Sequence, residues 1–148
     1  QNDHCPEAES FMAGILDNIG DITAFLNASP LSYKRLNALA GPEYLGWGRS
    51  ERSRLIRIPA ASGENARLEL RSPDPLCNPY IALAMVIFAG LDGIKRAARP
   101  APKNINLLPL NPAGAAKRAS KSRLVNENMP PLLLKNYLAH MTGGDMEG

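Results

Sequence analysis

The sequence has little of what binds metals or builds disulfide frameworks: two cysteines and two histidines in 148 residues. Cys5 and Cys77 lie 72 positions apart, so no close-spaced ligand pair exists and a structural zinc-type site is excluded. A single disulfide has no motive here, and both thiols are expected to be free, as in a reducing compartment. His4 and His140 sit near opposite ends without an obvious partner, which argues against a histidine-based triad. No apolar run approaches the ~20 residues that cross a bilayer. Ile81 to Leu91 is the most apolar stretch and is too short. Internal repeats are absent. The chain opens on Gln1 rather than Met, without a basic-then-apolar leader, so Gln1 is not expected to be the natural first residue.

What is present is the make-up of a soluble globular protein, 45% hydrophobic and 21% charged, which excludes intrinsic disorder. The net charge of +3 is mild, but its distribution is informative. Between Lys34 and Arg71 there are eight basic residues against four acids, and seven of the eight are arginine. Arginine suits planar, bidentate contact with carboxylate or phosphate. A diffuse nucleic-acid surface would be richer in lysine and more extended, so small anionic groups are the better match.

Residues Pro6 to Asn27 read as a helix, with Phe11, Ile15, Ile19, Ile22, Phe25 and Leu26 at helical spacing and Pro6 in the first turn. Ser29-Pro30 disfavours its continuation. Leu31 to Pro42 has no clean period and reads as a loop with irregular turns. Short strands are expected over Glu43 to Arg49, Ser53 to Ile58 and Ala66 to Ser72, the last two forming an antiparallel pair. Asn78 caps a long helix beginning at Pro79 and reaching about Ala97, apolar on most sides and therefore expected to be the central buried element. Four prolines between Pro100 and Pro112 make an extended connector. A weak helix over Ala113 to Ser120 and a last one from Pro131 to near Met141 complete the chain. The class is α+β, a partial antiparallel sheet with packed helices.

The segment Arg67-Leu68-Glu69-Leu70-Arg71 places three charges on one strand face. The glutamate can hold a divalent cation through hard oxygen, and the flanking arginines can clamp phosphate or carboxylate, a combination suited to phosphoryl transfer to a carboxylate. The same pattern also fits an exposed sheet face with cross-strand ion pairs. Arg57, between Ile56 and Ile58, should point away from an isoleucine-lined core and be free to meet a ligand. Arg52, Arg54 and Arg57 are equally compatible with solvated arginines. Trp47 reads as a packing residue.

Longer motifs resolve the choice. Ser32-Tyr33-Lys34-Arg35-Leu36, Trp47, Arg52-Ser53, Ile56-Arg57-Ile58-Pro59, Glu69-Leu70-Arg71-Ser72-Pro73-Asp74-Pro75, Asn78-Pro79-Tyr80 and Ala89-Gly90-Leu91-Asp92-Gly93-Ile94 resemble the C-terminal catalytic region of type I glutamine synthetase. The match is strongest over residues 6–100, with 101–148 as a looser helical tail. The resemblance implies ATP-dependent ligation of ammonia to glutamate, Mg²⁺ or Mn²⁺ as cofactor, a cytoplasmic homo-oligomer (a dodecamer in the full-length family), and no nucleic-acid or membrane partner. It implies Glu69 as metal ligand, Arg35 and Arg71 as the grip on glutamate, and Arg52, Arg57 and Arg67 as contacts to ATP phosphates. Arg52 and Arg71 would approach the transferring phosphoryl group. The sequence departs from the family at several positions. Leu31 replaces a usual asparagine, and Ala40 stands at the position of a flap glutamate. Glu64-Asn65-Ala66 stands where a lysine is often found. Lys103-Asn104-Ile105 is followed by Asn106 instead of the tyrosine that is adenylylated in some members, so that control is not expected. With one metal-binding glutamate the chain is expected to be inactive alone, as part of a longer synthetase. A non-catalytic remnant, a related ligase using another amine, and an anion-binding module are the alternatives.

Overall fold

The computed structural model describes residues 5–36, 44–101 and 108–143. Ten elements follow the chain: α1 (Pro6–Leu26), α2 (Pro30–Leu36), β1 (Tyr44–Arg49), β2 (Arg54–Ile58), a single 3-10 turn (Gly63–Asn65), β3 (Glu69–Leu70), α3 (Pro79–Lys95), α4 (Pro112–Lys121), α5 (Arg123–Asn128) and α6 (Pro131–Met141). The α+β class is as expected. Ala40, Glu43 and the Lys103 to Asn106 segment lie outside the described residues.

The centre of the molecule is α1, not α3. Ile19, Ile22, Ala24, Phe25 and Leu26 are fully buried on it, and it meets α3, α4 and α5. The α3 helix begins as its sequence dictates, with Asn78 Oδ1 accepting from the Tyr80 and Ile81 amides at 3.0 and 3.3 Å. Its buried residues, however, are Ala82, Met85, Ala89, Gly90 and Gly93, while Leu83, Ile87 and Leu91 are exposed. Apolar composition therefore misjudged its place: one stripe faces α1 and another faces out.

The α1–α3 contact is set by glycine. A Cβ on Gly14 would strike the Ala89 carbonyl oxygen and lie 2.6 Å from the Gly93 nitrogen. One on Gly93 would strike the Ser10 carbonyl oxygen and lie 2.6 Å from the Gly14 nitrogen. The two backbones touch, which is possible where neither helix carries a side chain. Asp92 and Arg96, at the C-terminal end of α3, hold the same pair from outside, Arg96 bridging Asp92 and Asp17 at 2.9 Å each. Beyond Lys95, Ala97 adopts the left-handed conformation at φ 47°, while its amide bonds Ile94 O and the Ala98 amide bonds Gly93 O, both at 3.0 Å. This is the Schellman pattern with alanine in the place glycine usually takes.

Residues 30–36 form a helix rather than the expected loop. Ser29 and Ser32 exchange reciprocal backbone-to-hydroxyl hydrogen bonds at 3.2 and 3.3 Å, a serine version of the capping box, and Pro30 sits inside the first turn. The proline starts this helix as well as ending the previous one. Likewise, Ser122 accepts from the Val125 amide and starts α5, which carries no period long enough to show in sequence. The last helix, α6, is anchored to the end of α1, where the Tyr137 hydroxyl donates to Ala24 O at 3.2 Å and its ring lies 5.1 Å from that of Phe25.

The sheet is small and mixed, in the order β1-β2-β3. The β2–β3 pair is antiparallel, as expected, with Ile56 opposite Leu70 and Arg57 opposite Glu69. The β1–β2 pair is parallel, with Trp47 opposite Ile56 and Arg49 opposite Ile58. Ser50, at φ 58°, begins the short return between them. Trp47, Arg49 and Ile58 line, with Glu9 and Met12 of α1, a cavity of about 200 Å³, so this face of the sheet looks toward α1.

Two substitutions, one on α3 and one just past its end, have opposite expected signs. Gly93→Ala forces the helices apart and lowers stability by about 1–3 kcal/mol in urea denaturation, overriding the ~1 kcal/mol by which alanine exceeds glycine as a helix former. Ala97→Gly relieves the left-handed strain and raises stability by about 1 kcal/mol in the same assay.

Candidate functional site

The antiparallel register puts Arg57 directly opposite Glu69, and their side chains meet, Nη1 donating to Oε2 at 2.9 Å. Arg57 does point away from the Ile56 and Ile58 face, but it is engaged rather than free. Its face is also not a solvent face, because Leu55 beside it is fully buried. The pair is partly open, with side-chain exposures of 22% for Arg57 and 39% for Glu69. Strand β3 is shorter than the sequence pattern suggested, so Arg67 and Arg71 lie outside it. Arg71 nevertheless extends the ladder, its amide donating to Leu55 O at 2.9 Å.

Arg35 sits in the last turn of α2. Its Nη2 donates to Asn27 Oδ1 at 3.1 Å and to the Ser72 carbonyl oxygen. Asn27 and Ser72 are both fully buried. The Asp74 amide adds a bond to Leu26 O at 3.2 Å, so the end of α1, the end of α2 and the segment after β3 are tied at one point. Arg35 is thereby anchored one residue beyond Arg71. Nothing in the sequence signalled these anchors: Asn27 read as the end of a helix and Ser72 as the end of a strand.

Three buried guanidinium nitrogens in this region, Arg35 Nε, Arg57 Nε and Arg71 Nη1, have no hydrogen-bond partner among the described residues. Buried donors are seldom left so, since each unmade bond costs about 1–3 kcal/mol. Arginines with donors to spare are a natural seat for carboxylate or phosphate oxygens. Arg52, in the return between β1 and β2, and Arg67, whose Nη1 donates to Asn65 O at 3.1 Å, are exposed. Among the described residues no hydrogen bond joins either of them to Arg35, Arg57 or Arg71.

A divalent cation finds one hard donor here. Among the described residues no group of three or more acidic, histidine or cysteine side chains converges, and Glu69 already accepts from Arg57. Mg²⁺ prefers six oxygen ligands in near-octahedral array, so these residues do not make such a site by themselves.

The remaining titratable cluster is packing. Burial pushes the Tyr137 phenol up to about 12, helped by nearby Cys77 and Asp74, and raises that of Tyr33 as well. Burial, then Asp74, raises the Cys77 thiol, which like Cys5 is free. Both phenols and the Cys77 thiol therefore stay protonated at neutral pH, which suits filling space better than moving protons.

The α+β unit thus gathers arginines and one glutamate beside a short sheet, a donor set suited to carboxylate or phosphate oxygens. Residues 1–140 match the family "Glutamine synthetase, catalytic domain", and the chain belongs to that family. The glutamine synthetase of Methanosarcina mazei is 42% identical over 118 residues, 78% of this chain and 26% of that protein. That of Halobacterium salinarum is 52% identical over 94 residues, 63% of this chain and 21% of that protein. A solved structure described as "Apo GmaS without ligand" superposes with a TM-score of 0.81 at 30% identity, covering 95% of this chain and 34% of that one. The chain thus spans about a quarter of the length of these curated relatives.

If Glu69 serves a ligand rather than the fold, removing its charge costs little stability. Glu69→Gln is expected to lower the unfolding free energy by no more than about 1 kcal/mol, the range of a partly exposed ion pair. Urea denaturation measures it, and a much larger loss would make the pair a structural tie.

Proposed function

We propose that this chain is the C-terminal portion, residues 1–148, of a glutamine synthetase catalytic domain and provides half of its active site. The reaction is ATP-dependent ligation of ammonia to glutamate, giving glutamine. What supports this most directly is the set of buried, unpartnered donors on Arg35, Arg57 and Arg71 in a chain of this family.

In this reading Arg35 and Arg71 grip the carboxylates of glutamate. Arg57 and the more exposed Arg52 and Arg67 face the phosphates of ATP, where Arg52 and Arg71 offset the charge that develops on the transferring group. Asn27 and the Ser72 carbonyl are positioning groups that hold the Arg35 guanidinium in one orientation. Glu69 contributes one oxygen donor toward Mg²⁺ or Mn²⁺, and the remaining donors belong to the rest of the domain. The chain alone forms no glutamine, because one carboxylate does not hold the cation the substrate phosphates require. The active protein is a cytoplasmic homo-oligomer. No helix among the described residues is long and apolar enough to cross a membrane.

Glutamate binding tests the grip. Titration of the pure chain should detect weak, millimolar binding of glutamate that Arg35→Ala and Arg71→Ala each reduce at least about tenfold, equivalent to ~1.4 kcal/mol. No heat at tens of millimolar, or binding indifferent to both substitutions, would remove the assignment. Glutamine formation from ATP, ammonia and glutamate by the chain alone would overturn its dependence on the rest of the domain.

A further inference from the structure

The Ile58 face of the sheet borders a second polar space, apart from the arginines gathered around Glu69. A cavity of about 200 Å³ lies between α1 and strands β1 and β2, lined by Glu9, Met12, Trp47, Arg49 and Ile58, with Arg99 from the segment after α3 at its side. Alternation along β2 sends Ile58 to one face and Arg57 to the other. The cavity and the Arg57–Glu69 pair therefore lie on opposite sides of one strand. Its floor is apolar and closed by packing within this chain, Met12 and Ile58 being 2% and 3% exposed.

The polar groups of the lining are mostly donors. Trp47 Nε1 is buried and has no hydrogen-bond partner among the described residues, a state that costs about 1–3 kcal/mol per donor. The Arg49 guanidinium enters no ion pair or hydrogen bond among the described residues. Arg99 Nη1 stands 3.9 Å from Glu9 Oε2, beyond hydrogen-bonding distance. Two guanidiniums and one carboxylate leave the lining with one positive charge in excess. A fitting occupant accepts hydrogen bonds, carries one negative charge and offers apolar surface to Met12, Ile58 and the indole ring. Size narrows it further: a cavity of about 150 Å³ admits benzene, so this one admits roughly six to nine non-hydrogen atoms.

We propose that this cavity binds a small aliphatic monocarboxylate of about four or five carbons. Its carboxylate meets Arg49, Arg99 and the Trp47 Nε1–H, and its chain lies on Met12 and Ile58. Arginine suits the carboxylate end through charge-assisted, bidentate contact. A dicarboxylate such as glutamate is excluded, because its second charge would enter the apolar floor or face Glu9. The site is independent of the ligase reading, which places its substrates on other arginines.

Butyrate is the probe. Trp47 is the sole tryptophan, so its emission reports on the cavity directly. Butyrate added to the full chain should shift that emission with a millimolar midpoint, and saturation-transfer NMR should show transfer to the butyrate methyl group. Butan-1-ol, which keeps the chain without the charge, and acetate, which keeps the charge without the chain, should each bind at least about tenfold more weakly. The paired substitution Arg49→Ala and Arg99→Ala, both at exposed side chains, should weaken butyrate at least about tenfold. Trp47→Phe, followed by NMR, should weaken it at least about threefold. Lys117→Ala, at an exposed cation on α4, should leave it unchanged. Far-UV circular dichroism checks that each variant is folded. Absence of saturation transfer at tens of millimolar butyrate, binding indifferent to the paired arginine substitution, or equal binding of butan-1-ol would overturn the proposal. So would displacement of butyrate by glutamate, which would put the probe in the Arg35 and Arg71 grip and leave the ligase reading standing.

Discussion

The contact on which the rest of this structure depends is the backbone touch between α1 and α3 at Gly14 and Gly93. Two helices that approach this closely have one relative placement open to them, because any slide brings side chains into the other backbone. That placement fixes where the chain re-emerges after each helix. At one end it sets Leu26, Asn27 and the turn into α2. At the same end it sets the approach of the segment from Ser72 to Asn78, whose Asp74 amide bonds Leu26 O. The Arg35 anchor is built where these two meet, so its geometry is inherited from a packing contact on the far side of the core. Close packing makes such inheritance possible, since well-filled interiors deform little.

The long helices were legible in the sequence because their signals are local and redundant. Pro6, Asn78-Pro79 and Pro131 mark starts, and apolar spacing fills the spans behind them. The helix over residues 30–36 was hidden because Pro30 was weighed as a terminator and not as an initiator. The parallel pairing of β1 with β2 was hidden for a different reason. A period of two says which residues share a face but carries no information on strand direction. The burial of α3 was misread because composition does not distinguish a face covered by α1 from one left exposed.

The candidate site was legible in part. Residue identities and spacing picked out Arg35, Arg52, Arg57, Arg67, Glu69 and Arg71. The structure joins Arg57 to Glu69 and brings Arg35 to the residue after Arg71, while Arg52 and Arg67 share no hydrogen bond with that group. Alternation along a strand could suggest that Arg57 leaves the isoleucine face, but not that Glu69, twelve residues on, would stand directly opposite. Asn27 and Ser72 were out of reach, because their role comes from tertiary proximity across 45 positions and not from any local pattern.

The manner in which Arg35 is held has an electrostatic consequence. Its anchors are an amide oxygen and a backbone carbonyl, both neutral. They fix the direction of the guanidinium without cancelling its charge, whereas Arg57 shares its charge with Glu69. At a half-buried position, an oriented but uncompensated cation sustains a positive potential that water screens poorly. Attraction for an arriving dianion should therefore weaken with ionic strength less than that of the exposed arginines, whose fields fade within a Debye length of about 8 Å at physiological salt. Two populations of arginine thus coexist within one short stretch of chain: exposed ones whose fields salt screens, and an inner one whose field is insulated from the surrounding medium.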